Sequence, residues 1–306
     1  MIKNYSFVTD EDKVFTLYNK VLGGIWPIEK EQFYDVLVHQ PPAQAVTSFI
    51  SESEGKVNGF ISTQIMNKRG SIVLLLFEPV QEYVREKLLR KALEHFQKNQ
   101  VTTVQLGAGG YTSFWPGIPA NLPQFVTFFE NQGWQFSENS VDMIREIGNY
   151  LTPKEVHERI ASVGVTIQFL KPEEASELLD FEKLHFPRWE RYFFERVSKE
   201  KFNEILIVKT NEDEIVGSVL VGKQGVIWTE LLGKNVGTIG CLGVAENMRG
   251  KGIGLALAAR ATEVLKEQHA GICYLSWTWL TDWYGKLGYS VWREYRMSSK
   301  DLKKLK

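Results

Sequence analysis

The residues in this chain best placed to do chemistry are Arg249, Gly250, Lys251, Gly252, Ile253 and Gly254. They follow the apolar strand Thr238–Val244 and precede Leu255–Lys266, which reads as one uninterrupted helix. A strand, a glycine-rich turn and a helix in that order present a row of unbonded backbone amides, which is a receptor for an anion such as a diphosphate. Alternate glycines let the backbone approach phosphates closely, and two cations stand beside them. The turn does not fit the two best-known phosphate loops. A nucleoside-triphosphate loop needs Ser or Thr after Gly-Lys, where Gly252 stands. A dinucleotide fingerprint needs a third glycine where Leu257 stands.

About thirty residues later the chain reads Tyr284-Gly285-Lys286-Leu287-Gly288-Tyr289. Arg-x-x-Gly-x-Gly after a strand ending in Val, followed at this distance by Tyr-x-x-x-Gly-aromatic, resembles the GNAT superfamily of N-acetyltransferases over most of Val165–Met297. The resemblance implies acetyl-CoA as acyl donor, with no metal. Its pyrophosphate would lie on the amides of Gly250, Lys251, Gly252, Ile253 and Gly254 with Arg249 nearby. Its pantetheine arm would pair with the backbone of Leu242 and Val244, beside a bulge permitted by Gly243. It also implies Tyr284 as proton donor to the leaving thiolate. For the base that frees the amine, Glu230, expected on a strand through Val226–Leu231, is the first candidate; Asp282 and His185 are others. Where many family members carry an asparagine, this chain has Trp277-Thr278-Trp279-Leu280-Thr281. Trp277, Trp279, Trp283, Trp228 and Trp189 are either lining of an acceptor pocket or ordinary core.

The elements that must position these residues occur twice. Each half shows a strand, an acid-led helix, a hairpin about a polar turn, and an apolar strand leading into a long helix. Each ends in a Gly-aromatic step, Gly133-Trp134 in one half and Gly288-Tyr289 in the other. The fold class expected is α/β (α+β): two tandem GNAT-like domains, each a mixed, mostly antiparallel sheet flanked by helices. The boundaries expected are 1–148, a linker helix within 149–164, and 165–306. The first half has lost the site. It reads Glu78-Pro79-Val80-Gln81-Glu82-Tyr83-Val84 in place of the glycine turn, and Phe129 in place of Tyr284. Its long segment 107–123 is rich in Gly and aromatics, with either a capping or a functional role open.

With 36 Lys and Arg against 37 Asp and Glu, the chain has no basic field for nucleic acid. Its longest apolar run, Ile72–Phe77, is too short for a membrane span, and Met1–Asp12 lacks a signal-type core. A cytoplasmic monomer with an internal pseudo-dimer is expected, with Cys241 and Cys273 reduced. The function expected is transfer of an acetyl group from acetyl-CoA to a primary amine of a small molecule or peptide, by direct attack in a ternary complex. The competing reading is a non-catalytic acyl-CoA-binding or scaffold protein of the same fold.

Overall fold

In a computed structural model, residues 1–37, 45–78, 82–107, 114–223 and 226–302 are described. The chain order is β1 (Ile2–Asn4), α1 (Phe7–Val21), α2 (Lys30–Leu37), β2 (Ala45–Ser53), β3 (Lys56–Met66), β4 (Arg69–Phe77), α3 (Glu82–Lys98), β5 (Thr103–Leu106), β6 (Ile118–Pro119), α4 (Pro123–Asn131) and β7 (Phe136–Glu146). There follow α5 (Lys154–Ala161), β8 (Val165–Phe169), α6 (Ala175–His185), α7 (Glu190–Ser198), β9 (Ile205–Thr210), β10 (Ile215–Gly222), α8 (Thr229–Leu232), β11 (Val236–Val244), α9 (Ile253–Glu267), β12 (Ile272–Thr278), α10 (Thr281–Gly285) and β13 (Ser290–Asp301). The architecture is mixed α/β, with mostly antiparallel strands flanked by helices.

The chain forms two compact units, neither of them continuous in sequence. The first gathers Met1–Val141, Ile227–Gly233 and Arg293–Lys306; the second gathers Asp142–Val226 and Lys234–Trp292. Strands β7 and β13 therefore each contribute residues to both.

In the first unit the strand order is β1-β2-β3-β4-β5-β13, with β6 also on β13. Two tight turns set its hairpins: Glu54-Gly55 and Asn67-Lys68 all have positive φ, the backbone hand that matches strand twist. The core is aromatic. Trp26 meets Trp228 at 4.7 Å and Trp115 at 5.5 Å between ring centroids, and Phe114 meets Trp228 at 5.5 Å. All four side chains are buried. Segment 107–123, as far as it is described, thus packs Phe114 and Trp115 into its own unit; residues 108–113 lie outside the described residues. So do 79–81 of the altered turn. The opening strand of this half is β1, and α1 already begins at Phe7. Phe7 and Val8 are exposed, so neither has a sheet face to fill, and the Asp10 carboxylate accepts from the Ser6 amide at 3.0 Å.

In the second unit the order is β7-β12-β11-β10-β9-β8. Its core sets Leu178 and Phe181 of α6 and Phe193 of α7 against Ile205 and Ile207 of β9. On α9, Ala256, Leu257, Ala259, Ala261 and Leu265 are buried in a broad small-residue face, close enough that Gly237 of β11 has no room for a Cβ beside Leu265. Among the described residues, no helix is long and apolar enough to cross a membrane.

Candidate functional site

Strands β11 and β12 run parallel, but their pairing ends at Thr238 opposite Tyr274, although β11 continues to Val244 and β12 to Thr278. Beyond that point they splay. Among the described residues, the backbone of β11 has no strand partner on that side over the residues expected to meet an extended arm, Leu242 to Val244.

The other edge of β11 is bulged. Ser218 pairs with Gly243 and Leu220 with Gly240, so Val219 alone faces both Cys241 and Leu242. Cys241 holds the left-handed φ of +50° that such a bulge demands. Gly243, expected to permit the bulge, serves a neighbouring need: the Phe186 ring lies where a Cβ would stand.

The strand ends in the glycine turn. Gly250 and Gly252 have φ of +78° and +92°, closed to ordinary residues without strain, and Ile253 is buried to anchor the start of α9. The first intrahelical bond of α9 is from the Ala256 amide to the Gly252 carbonyl. The amides of Gly250 through Gly254 donate to no acceptor among the described residues. A Cβ on Gly254 would stand 3.3 Å from Trp283, 3.6 Å from Val244 and 3.8 Å from Leu242, which fixes the packing of helix on strand.

The cations divide their labour. Arg249 donates from Nε to the Val244 carbonyl at 3.1 Å, tying the turn to its strand, and Lys251 is exposed with Nζ 3.2 Å from the Met248 sulfur. A third cation, absent from the sequence expectation, is Arg159 of α5. Its Nη2 donates to the Gly250 carbonyl at 2.5 Å, and its stem crosses Gly252.

Tyr284, on α10, is buried, with the Trp283 ring at 4.7 Å and 90° and the Tyr289 ring at 5.8 Å. Trp283 therefore touches both the tyrosine and the glycine turn, and gathers Leu242, Val244, Gly254 and Tyr284 into one neighbourhood. Burial, with Cys273 nearby, pushes the Tyr284 hydroxyl up to about 12. A phenol this weak as an acid keeps its proton at neutral pH. Full transfer of that proton to a thiolate of ordinary pKa about 8.5 would be uphill.

Glu230 is not on a strand. Residues 229–232 form the single turn α8, Glu230 is exposed, and its segment belongs to the first unit, where Trp228 is buried beside Trp26. The apolar pattern of Val226–Leu231 reflects that aromatic packing. Asp282 and His185 are exposed in the second unit, the latter with its ring on Phe181 at 4.8 Å. Among the five tryptophans, Trp277 and Trp279 are exposed and Trp189 stacks on Phe186 at 5.0 Å.

Two buried acids carry no local sequence signal. Glu182 of α6 is wholly buried and bonded to the Ser218 hydroxyl at the bulge, with its other oxygen unpartnered among the described residues. Burial pushes its carboxyl up to about 8. Asp142 of β7 accepts from the Tyr274 hydroxyl at 2.7 Å and the Trp277 amide at 2.9 Å. It thereby holds Trp277 at a φ of +54° where β12 leaves the splay. Both thiols are free, and burial pushes Cys241 and Cys273 up to about 12. Among the described residues no group of three or more His, Cys, Asp or Glu is placed to hold a metal.

The family model of the acetyltransferase (GNAT) family matches residues 173–289. No curated protein matches the sequence significantly. Among solved structures, a glucosamine N-acetyltransferase region of a fungal multi-domain β-N-acetylglucosaminidase is 27% identical with a TM-score of 0.90; the match covers 98% of this chain and 38% of that one. The chain thus spans well under half of that protein's length. A GNAT protein from Sphaerobacter thermophilus, 17% identical over 98% of this chain and 95% of its own, has a TM-score of 0.74. A tandem GNAT protein of the clavulanic acid pathway, 15% identical over 98% of each chain, scores 0.66. Residues 173–289 thus belong to the acetyltransferase (GNAT) family, and the chain as a whole has the fold of its tandem members.

Proposed function

We propose that this acyltransferase-family chain is an acetyl-CoA-dependent N-acetyltransferase whose reaction centre lies in the second unit, with an amino sugar as the first acceptor class to try. The observation that carries the reading is a run of amides, Gly250–Gly254, unbonded among the described residues, following a strand whose inner edge is open and beside which Tyr284 is buried. The glycines suit a diphosphate because the amides of the turn have no acceptor among the described residues and the glycines bring no Cβ of their own to the approach. The amino-sugar class comes from the fungal glucosamine N-acetyltransferase region, which is 27% identical.

The donor supplies an acetyl thioester. The open edge of Leu242–Val244 holds the arm in extended form, and a backbone amide near Val244 meets the carbonyl oxygen as charge develops there. The neutral amine forms the new C–N bond, the carbonyl electrons move to oxygen, and their return expels sulfur. Tyr284 donates its hydrogen bond to that sulfur, while the proton shed by the new amide nitrogen restores the thiol. The first amine proton leaves to water before the attack, because Glu230 belongs to the first unit.

The test is thiol release by the full-length protein from acetyl-CoA with glucosamine, a polyamine and peptide amines, together with calorimetry of CoA. Turnover with at least one amine is expected. Tyr284→Phe should lower kcat at least about tenfold with KM for acetyl-CoA nearly unchanged. Binding without turnover on every amine would remove the transferase reading, and no heat on titrating CoA would remove the cofactor assignment as well.

A further inference from the structure

The guanidinium of Arg159 is out of place for a surface arginine. Among the described residues no carboxylate lies within 4.0 Å of it, and Glu158, its neighbour, is paired with Lys154 at 2.9 Å. It reaches instead across 91 positions of sequence to the carbonyl of Gly250. A Cβ built on Gly252 would stand 2.7 Å from Arg159 Cδ and 2.8 Å from Nε, so the side chain lies along the face of the turn.

Its backbone is held there. Thr152 donates to Glu263 of α9 at 2.5 Å, Lys266 of α9 donates to the Tyr150 carbonyl at 2.8 Å, and Val156 is buried. Helix α5 is thereby fastened along α9, with Arg159 in its last turn facing the first residues of α9. Meanwhile Arg249 is engaged with Val244.

We propose that Arg159 clamps the diphosphate of the donor against the Gly250–Gly254 turn, exchanging its bond to the Gly250 carbonyl for phosphate oxygens. This rests on the acetyl-CoA reading and adds to it a residue from outside the glycine motif. A planar fork of donors suits phosphate oxygens better than a carbonyl, which accepts only one of them. Helix α5 then takes part in donor selection, favouring thioesters that carry a diphosphate.

The experiment compares wild-type protein, Arg159→Ala and Arg159→Lys at full length. Calorimetry uses CoA and dephospho-CoA, and steady-state kinetics use S-acetylpantetheine, which has no phosphates. Arg159→Ala should weaken CoA and dephospho-CoA alike by about tenfold or more, with Arg159→Lys between. The KM for S-acetylpantetheine and the thermal midpoint of the free protein should not move. Affinity within twofold of wild type in Arg159→Ala would overturn the clamp and leave the acetyl-CoA reading intact. A loss seen with CoA but not dephospho-CoA would move Arg159 to the 3′-phosphate and overturn the diphosphate assignment. Wild-type protein that binds neither would overturn both readings. Should the alanine variant not fold, the lysine variant decides by the same comparison, because it keeps the charge and the stem.

Discussion

Glu182 shows how burial alone sets the chemistry of a residue. Its carboxyl rests on the Ser218 hydroxyl with no cation paired to it among the described residues, so the charged form is disfavoured and the pKa rises from 4.5 to about 8. The consequence for stability has a definite sign. Above pH 4.5 the unfolded chain releases this proton and the folded chain keeps it, so stability from this group is whole below pH 4.5. It falls as pH rises, by at most about 1.4 kcal/mol per unit, until pH 8. Glu182→Gln keeps the bond to Ser218 and cannot ionise. Urea midpoints should therefore show the variant gaining on wild type steadily between pH 5 and 8 and no further above it. Parallel pH profiles would refute a buried neutral acid.

Among elements, strand β11 carries three separate demands along nine residues, and each falls on a different side of it. One edge is opened by the splay from β12, the other is bulged against β10, and one face admits the Phe186 ring at Gly243. The bulge and the ring together bring α6 down onto the strand. Gly243→Val should consequently destabilise the protein by about 1 to 3 kcal/mol, read from denaturant unfolding, because a side chain there must displace an aromatic ring. Gly240→Ala, three residues earlier on the same strand with nothing within 4 Å of its added Cβ, should be near neutral. Equal costs at the two positions would show that strand conformation, and not the ring, is what Gly243 serves.

At the scale of the molecule, the units interleave along the chain. Trp228 and Tyr295 come from the second half of the sequence but are buried in the first unit against Trp26, at 4.7 and 6.2 Å. Asp142 and Ile147 come from before residue 149 but serve the second, through Tyr274, Trp277 and the Gly271 carbonyl. A cut at the boundary expected from sequence tests which division the protein obeys. A fragment of residues 149–306 should be poorly soluble and melt without cooperativity, since it lacks the Asp142 anchor and bares Trp228 and Tyr295. A soluble fragment with a sharp transition would favour the linear boundary.

What the sequence determined by itself is what neighbouring residues impose on one another. Glycines at 250, 252 and 254 after a β-run and before an uninterrupted helix dictate a row of outward amides, because φ and the empty first turn of a helix are local properties. The repeated order of strands and helices was legible for the same reason, since alternation and helical periodicity are written within each segment. Tertiary structure alone decided which distant groups complete that turn and that strand. Arg159 meets Gly250 across 91 positions, Glu182 meets Ser218 across 36, and Asp142 meets Trp277 across 135. The strand read into Val226–Leu231 failed on the same ground: its apolar residues answer to Trp26, far away in sequence, and not to a neighbouring strand. Burial and partner choice depend on which surfaces the folded chain brings together, and no short window of residues contains that.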